Sequence, residues 1–295
     1  MKFVAALGLA CSLAINCQAA ESLGTIRRSV TEVRFTVVAT DRSGRPVLNL
    51  SSNEFSVVED GRPIPQFDLR PASDLSLQVG VLLDLSGSMS RSWPTMRPAL
   101  IQALQQALRP DDQLTLLAFD HKIELEQKIT APQQLDTINI PKGGGLTAFY
   151  DAVYSACSDQ SFGSTREPRR SALIIISDGE DNLSRHGLDD AIENAEAASI
   201  SVYSISMHNA KMHPDGDSVL GRLSGLTGGR HFIVSNRGDL QAALDVIKDE
   251  LRSSYLLYYR SPDATGRGKF RSVNFVPSES QGLVLRSRAG YYVAH

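Results

Sequence analysis

Between Leu77 and Leu251 the sequence alternates short, continuously apolar runs with stretches of helical spacing. VGVLLDL and SALIIISD are apolar at nearly every position, whereas LIQALQQAL has its apolar residues three and four positions apart. A strand that is apolar at every position is covered on both faces, as in a parallel sheet flanked by helices. The alternation therefore predicts a doubly wound α/β domain with a mainly parallel sheet and helices on both faces.

One segment departs from this alternation. QLTLLAFDHKIELEQKI has two strand-like halves that meet at Asp120, His121 and Lys122, with no helical stretch between them. Two such runs separated by a short polar turn are typical of a hairpin. We expect this hairpin to add one antiparallel strand at an edge of the parallel sheet.

Strand-like segments flank the α/β part on both sides. From Val33 to about Asp74 the chain shows strand patterns with turns at Asp41–Gly44 and at Asp60-Gly61. From Ser254 onward it contains SYLLYYR, FRSVNFVP and LVLRSRAGYYV. Each flank alone would leave unpaired strand edges. We therefore expect the two flanks to pair into one small β-sandwich, with their tyrosines packed inside it.

The first residues are typical of a secretory signal peptide. One positive charge at Lys2 is followed by an apolar run from Phe3 to Ile15 and by small residues up to Ala20. A membrane anchor is the weaker interpretation, because the run is shorter than the roughly 20 residues that span a bilayer. Lipidation is a further alternative, but no suitable triplet precedes either nearby cysteine. The pattern predicts a secreted or periplasmic protein without an integral membrane span after the signal is removed.

These patterns divide the chain into four parts. We predict a signal peptide over residues 1–20, a β-rich region over 21–76, the α/β domain over 77–253 and a second β-rich region over 254–295. After signal removal Cys157 is the remaining cysteine, and its helical surroundings predict a buried thiol rather than a disulfide. The formal net charge of -3 gives no electrostatic reason to expect nucleic acid as a partner.

Oxygen-bearing side chains follow the apolar run VGVLLDL. The run ends in Asp84, and Ser86 and Ser88 come at the next alternate positions, with Gly87 permitting a tight turn between them. In a doubly wound sheet, ligands bind beyond the carboxyl ends of the strands. One carboxylate and two hydroxyls suit Mg²⁺ or Mn²⁺.

Two more candidates belong to the same edge of the sheet. The run SALIIISD ends in Asp178-Gly179, and Thr147 lies after a glycine run at the start of a helix. Taken alone, the Asp-x-Ser-x-Ser segment is equally typical of a helix N-cap or a turn. With Thr147 and Asp178 in the expected structural context, a metal site is the better interpretation.

This set of residues resembles the metal-ion-dependent adhesion site (MIDAS) of von Willebrand factor type A domains. The five matching positions are Asp84, Ser86, Ser88, Thr147 and Asp178. The resemblance implies a von Willebrand factor A-like fold in which the serines and the threonine ligate Mg²⁺ or Mn²⁺ directly. It also implies that the aspartates act largely through water and that a vacant position accepts a carboxylate from a partner.

The flanks carry a second, narrower resemblance. VVATDRSGRPVLNLSSNEFSVVEDGRPIPQF and the segment from YLLYYR to AGYYV are similar to exported bacterial VWFA-related proteins of the acidobacterial type. This resemblance covers nearly the whole chain after the signal and implies its architecture more than its function.

We expect a non-enzymatic module that binds a protein partner presenting an Asp or Glu carboxylate, in adhesion or as a scaffold of the bacterial envelope. The sequence contains no Gly-x-Ser-x-Gly elbow and no Gly-x-x-x-x-Gly-Lys loop. Two alternatives stay open: a purely structural, metal-stabilised envelope scaffold, and a metal-dependent hydrolase.

The loop after SVYSISM is expected to border the metal, because loops after successive strands share one face of the domain. We predict that this loop, over residues 208–217, forms a rim that selects the partner. Its candidate contact residues are His208, Lys211, His213, Asp215 and Asp217.

Overall fold

The computed structural model describes residues 32–89, 93–129, 131–158, 170–207, 214–263, 266, 268–278 and 282–293. The predicted signal peptide over residues 1–20 lies outside these ranges. None of the helices within them combines the length and the apolar character that crossing a bilayer requires.

Strands form both flanks, and strands and helices alternate between them. The strands are β1 (Glu32–Asp41), β2 (Phe55–Glu59), β3 (Arg62–Ile64), β4 (Asp68–Pro71), β5 (Leu77–Asp84), β6 (Gln113–Phe119), β7 (Ile123–Ile129), β8 (Arg170–Ile176), β9 (Ile200–Met207), β10 (His231–Val234), β11 (Tyr255–Arg260), β12 (Phe270–Pro277), β13 (Leu283–Arg286) and β14 (Gly290–Tyr292). The helices are α1 (Trp93–Ala107), α2 (Phe149–Ser158), α3 (Leu188–Ala197), α4 (Pro214–Leu226) and α5 (Arg237–Ser253), with a 3₁₀ helix at Pro132–Thr137.

The central sheet has the order β10-β9-β8-β5-β6-β7. Its strands are parallel except β7, which pairs antiparallel with β6 at the edge. All eight residues of β5 are buried, as expected for a strand covered on both faces. The predicted α/β fold with a mainly parallel sheet and one antiparallel edge strand is therefore confirmed.

Helices cover both faces of this sheet and create two apolar cores. Alternate residues of β5 face opposite ways, so Val81 and Leu83 join a core with α1 and α5, whereas Leu82 joins a core with α2, α3 and α4. Each fully buried aliphatic side chain of this kind contributes about 1.5–3 kcal/mol. Cys157 lies in the second core as predicted, and burial raises the pKa of its thiol to about 12.

The two flanks pair with each other, as the sequence predicts. One sheet has the order β13-β1-β11-β4 and the other β14-β12-β2-β3, so each combines strands from both ends of the chain. Their facing sides share one core around Phe35, whose ring lies 6.2 Å from the ring of Tyr259 and 6.2 Å from that of Tyr291. This β-sandwich stands beside the α/β part, and the division at residues 76 and 253 stays a prediction.

One local prediction needs correction. LVLRSRAGYYV does not form one strand, because β13 belongs to the first sheet of the sandwich and β14 to the second. At the crossing, the Arg288 guanidinium lies 4.7 Å from the Phe35 ring centre and donates to the carbonyl oxygen of Arg34 at 2.9 Å. These contacts with the ring and with the backbone hold the chain where it passes from one sheet to the other.

Both predicted turns of the first flank are present. Asp60 and Gly61 have φ angles of 46° and 77° and connect the antiparallel strands β2 and β3, which confirms the predicted hairpin. The turn at Asp41–Gly44 is hairpin-like as well, because Thr40 and Pro46 across it form an isolated antiparallel bridge. The longer pairings of β1 are those with β11 and β13.

A charged pair holds α5 against the amino-terminal side of the central sheet. The Asp112 carboxylate is fully covered and forms an ion pair with Arg252 of α5. It also accepts hydrogen bonds from the backbone N–H of Leu77 and of Arg109, each at 2.7 Å. Burial raises the pKa of Asp112, but the bonds from Arg252 and the two amides outweigh it, so the pKa lies below its ordinary value.

We expect Asp112→Asn to lower the free energy of unfolding by about 3 kcal/mol, because it leaves the Arg252 guanidinium covered without a counter-charge. The folded pKa of Asp112 is depressed, so its stabilisation is complete above about pH 4 and is lost as the pH falls through the folded pKa. Urea titrations of wild type and variant at pH 7 and pH 3 measure this. A difference in stability that does not shrink at pH 3 would contradict it.

We also expect removal of residues 254–295 to unfold the amino-terminal strands. The truncation leaves β1 without β11 and β13, and β2 without β12, so several strand edges become unpaired. Hydrogen exchange and light scattering of the truncated chain measure this, with the full chain as control. A monomer with protected amides in β1 and β2 would show that the flanks fold independently.

Candidate metal centre

Four of the five residues predicted as metal ligands lie at the carboxyl ends of β5 and β8, and Thr147 lies two residues before α2. These strands are neighbours in the middle of the central sheet, and the chain leaves β5 towards one side and returns on the other. Such a switch in strand order opens a crevice at the carboxyl edge of a doubly wound sheet. The candidate centre lies at this edge.

Asp84 closes strand β5 and is buried. Its Oδ1 accepts the backbone N–H of Ser86 at 2.8 Å, and its Oδ2 accepts the hydroxyl of Ser177 at 2.6 Å. Burial raises the pKa of Asp84 to about 6, and the nearby Asp178 carboxylate adds to the shift, although the hydrogen bonds from Ser177 and Ser86 oppose it. The hydrogen bonds therefore fix the carboxylate in place, although its burial removes favourable contact with water.

The two serines of the segment present their hydroxyls together. The Oγ atoms of Ser86 and Ser88 lie 3.1 Å apart, with Ser86 buried and Ser88 exposed. The chain bends at Ser86 and turns from Gly87 to Met89, and this turn brings the two hydroxyls together. Two hydroxyl oxygens at this separation can both face one small cation.

Thr147 is buried beside the loop that follows β8. Its carbonyl oxygen accepts the N–H groups of Asn182 and Leu183 at 2.8 and 3.1 Å, and its own N–H donates to Asn182 Oδ1 at 3.4 Å. Gly143, four residues before it, packs closely against the segment after Asp84, since a Cβ on Gly143 would stand 1.9 Å from the carbonyl oxygen of Leu85. Only glycine permits this approach, which brings Thr147 to the edge of the sheet.

Asp178 contributes the second carboxylate. Its Oδ1 accepts the N–H of Glu180 at 3.2 Å, whereas its Oδ2 is buried with no hydrogen-bond partner among the described residues. A buried carboxylate oxygen without a donor is costly and calls for a ligand. A divalent cation, or a water bound to it, would satisfy this atom, and the carboxylates and hydroxyls around it are the hard oxygen donors that such a cation takes. The residues therefore fit a metal.

Asp181 holds the same loop against α2. Its Oδ1 accepts the backbone N–H groups of Phe149 and Tyr150 at 2.7 and 3.3 Å, at the first turn of that helix. It therefore serves as a helix cap supplied from another part of the chain. Since Thr147 precedes this turn by two residues, the cap also fixes the backbone that carries Thr147.

The structure describes the last part of the predicted rim, residues 214–217, and this part is helical. His208, Lys211 and His213 lie outside the described residues. Asp215 and Asp217, which the sequence places in a loop, belong to the first turn of α4, because that helix begins at Pro214. A helix favours acidic residues in its first turn, which explains the earlier start.

The start of α4 does lie against the candidate centre. A Cβ on Gly216 would stand 1.9 Å from the carbonyl oxygen of Asp178, so the helix backbone packs directly on the Asp178-Gly179 turn. Asp215 is exposed there. Asp217 instead points inward, where its Oδ1 accepts the Ser206 hydroxyl at 2.8 Å and lies 3.3 Å from His231 Nε2.

Sequence reasoning did not single out Ser177 or Asn182, which fix Asp84 and Thr147. It also treated the β6–β7 turn only as a connection, whereas the ligand atoms of Asp120, His121 and Glu124 lie within 4.8 Å of one another. Asp120 Oδ1 and His121 Nδ1 are 2.6 Å apart. The DHKIE spacing across the hairpin is the signal that would have found this possible metal-ligand group.

The order of strands in the central sheet, the helices on both its faces and the polar groups at its carboxyl edge define a von Willebrand factor type A (VWA) domain. Residues 54–227 match the sequence profile of the family described as "VWA domain containing CoxE-like protein". This match covers more than half of the chain, and the chain belongs to that family. No curated protein matches the chain.

Several solved structures have a similar fold. Proximal thread matrix protein 1 from the mussel byssus, with a zinc-occupied MIDAS motif, is 13% identical at a TM-score of 0.50, over 61% of this chain and 48% of that one. An aerotolerance-related membrane protein from Bacteroides fragilis is 18% identical at a TM-score of 0.44, over 60% of this chain and 98% of that one. The present chain thus spans about half of the mussel protein.

We expect Asp181→Ala to lower the free energy of unfolding by about 1–2 kcal/mol, because the first turn of α2 loses its cap. Asp189→Ala is the matched control: Asp189 lies in the first turn of α3, where it is exposed and pairs with Arg222 on the surface. That change should cost less than about 1 kcal/mol. Thermal unfolding of both variants measures the difference, and equal losses would show that Asp181 is not a cap.

Proposed function

We propose that this protein is a metal-dependent protein-binding module. Asp84, Ser86, Ser88, Thr147 and Asp178 hold one divalent cation, and an open coordination position takes an Asp or Glu carboxylate from a partner protein. The observation that carries the proposal is the buried Oδ2 of Asp178, which has no hydrogen-bond partner among the described residues, at the same edge of the sheet as the paired serine hydroxyls.

Electrostatics support a cation at this place. Asp84 and Asp178 are both buried and repel each other, and the raised pKa of Asp84 reflects both effects. A bound cation would offset the burial and the repulsion together. The ion would balance the two negative charges, and a coordination position left open on the side of the exposed Ser88 would accept a carboxylate oxygen.

The donor set favours Mg²⁺ or Mn²⁺. Hydroxyls and carboxylates are hard oxygen ligands, whereas zinc is more often held by nitrogen and sulfur. The zinc-occupied MIDAS motif of the mussel protein, which has a similar fold, supports a divalent ion in this chain. The mussel protein does not decide which ion this chain takes.

We further propose that the protein acts outside the cytoplasm, secreted or periplasmic, in adhesion or as a scaffold of the envelope. The signal-peptide pattern of residues 1–20 and the resemblance of the flanks to exported VWFA-related proteins support this location. A β-sandwich beside the VWA domain suits a module that presents its metal edge to a partner.

The placement of Ser204 argues against a serine-hydrolase site. Ser204 Oγ lies 2.9 Å from His231 Nδ1, and His231 Nε2 lies 3.3 Å from Asp217, an order that resembles a catalytic triad. However, Ser204 is completely buried and its hydroxyl also contacts Ser224 at 2.8 Å. A substrate could not reach this serine, so the cluster ties α4 to the sheet.

We expect Mg²⁺ or Mn²⁺ to raise the free energy of unfolding by about 2.7 kcal/mol at a hundredfold excess over the dissociation constant, because the ion binds only the folded chain. Asp84→Asn should abolish this gain while the variant still folds, since asparagine keeps the shape and removes a buried charge. Thermal unfolding with and without each ion, and after chelation, measures the effect.

Glu124→Gln is the matched control, because Glu124 belongs to the other possible ligand group and not to the proposed centre. This variant should keep the full gain. Loss of the gain in Glu124→Gln but not in Asp84→Asn would place the ion at the β6–β7 turn. A wild-type melting curve that responds neither to ions nor to chelator would rule out the metal centre.

A further inference from the structure

We propose that the partner's metal-binding carboxylate is flanked by an apolar side chain, which packs on Leu146 and Leu183 of this chain. This inference rests on the proposed function and names the chemistry of the partner at the same site. It follows from two exposed leucines and an exposed glycine loop around Thr147.

Leu146 and Leu183 are large apolar side chains at a polar edge, and both are exposed. Leu146 is 57% exposed and Leu183 is 47% exposed. Thr147 connects them, because Leu146 precedes it in the chain and the N–H of Leu183 donates to its carbonyl oxygen at 3.1 Å. The two leucines therefore belong to two loops held together at one proposed metal ligand.

An exposed glycine loop borders the centre next to Leu146. Gly143, Gly144 and Gly145 are exposed, and the carbonyl oxygen of Gly145 accepts the N–H of Gly87 at 3.4 Å. Glycine backbone lets another chain approach closely. A partner segment that crosses these glycines towards the serine hydroxyls would meet the leucines beside Thr147.

Charge and burial together select the kind of partner. The cation attracts any carboxylate, so it cannot by itself distinguish one acidic partner from another. Covering two exposed leucines contributes to affinity only when the partner offers apolar surface next to its acid. A segment with a leucine, a phenylalanine or a similar side chain adjacent to Asp or Glu meets both requirements.

The test uses the full chain with Mn²⁺ and three labelled peptides of equal length. All three have the same flanking glycines. The first contains Leu-Asp-Phe at its centre, the second Ser-Asp-Ser and the third Leu-Asn-Phe. Isothermal titration with Mn²⁺ alone measures the metal affinity, and fluorescence anisotropy measures peptide binding. The variants are Leu146→Ser combined with Leu183→Ser, and Leu48→Ser as control, because Leu48 is 67% exposed on the sandwich.

We expect wild type to bind the Leu-Asp-Phe peptide about tenfold more tightly than the Ser-Asp-Ser peptide and not to bind the asparagine peptide. In the double variant this preference should fall to about twofold or less, with unchanged Mn²⁺ affinity. The Leu48→Ser chain should behave as wild type.

The failures are distinguishable. Equal binding of both aspartate peptides by wild type, or a preference that survives in the double variant, would overturn the inference and leave the proposed function standing. Mn²⁺ binding without binding of either aspartate peptide would contradict the carboxylate partner and this inference with it. No Mn²⁺ binding would contradict the metal centre itself.

Discussion

Strand β5 is covered on both faces along its whole length, and the geometry of the candidate centre depends on that burial. All eight of its residues are buried, and the strand lies between β8 and β6 in the middle of the sheet. Its last residue, Asp84, is therefore carried into the interior before the chain turns outward. Ser86 is still buried and Ser88 is exposed, so the polar groups run from the core to the surface within four residues.

Burying Asp84 and Asp178 beside each other is unfavourable, and the surrounding chain offsets only part of that cost. The amide of Ser86 and the hydroxyl of Ser177 each donate to one oxygen of Asp84, while Asp178 receives one amide and its Oδ2 has no donor among the described residues. Such incomplete satisfaction at an otherwise well-bonded edge is typical of a functional site. Hydrogen bonds between protein groups hold the surrounding loops, as at Asp181 and at the carbonyl oxygen of Thr147.

Arginines connect the sandwich to the α/β part. Arg170 of β8 donates to the hydroxyl of Ser254 at 3.0 Å and to the carbonyl oxygen of Leu75 at 2.8 Å, at the two crossings between the parts. Arg288 donates to Arg34 in the sandwich and to the Ser199 hydroxyl, at 3.0 Å, in the α/β part. These bonds satisfy backbone and hydroxyl oxygens that burial at the junction would otherwise leave unpaired. They orient the metal edge relative to the sandwich.

The sequence by itself determined the α/β class and the edge hairpin at Asp120, because apolar periodicity and turn residues are local properties of the chain. It also predicted the pairing of the two flanks, because each flank alone would leave unpaired strand edges. It also indicated Asp84, Ser86, Ser88, Thr147 and Asp178, since residues that follow parallel strands must share one edge. Only the tertiary structure decided which groups support them, such as Ser177 and Asn182, because hydrogen bonds between distant segments leave no periodic trace.

The same reason explains the errors. The start of α4 at Pro214 and the split of the last predicted strand at Arg288 depend on packing against Asp178 and Phe35, which lie far away in the chain. The exposure of Leu146 and Leu183 is likewise a property of the folded surface. Local pattern therefore specifies the elements and the order of the polar residues, whereas long-range packing decides where each element ends and which side chains reach the solvent.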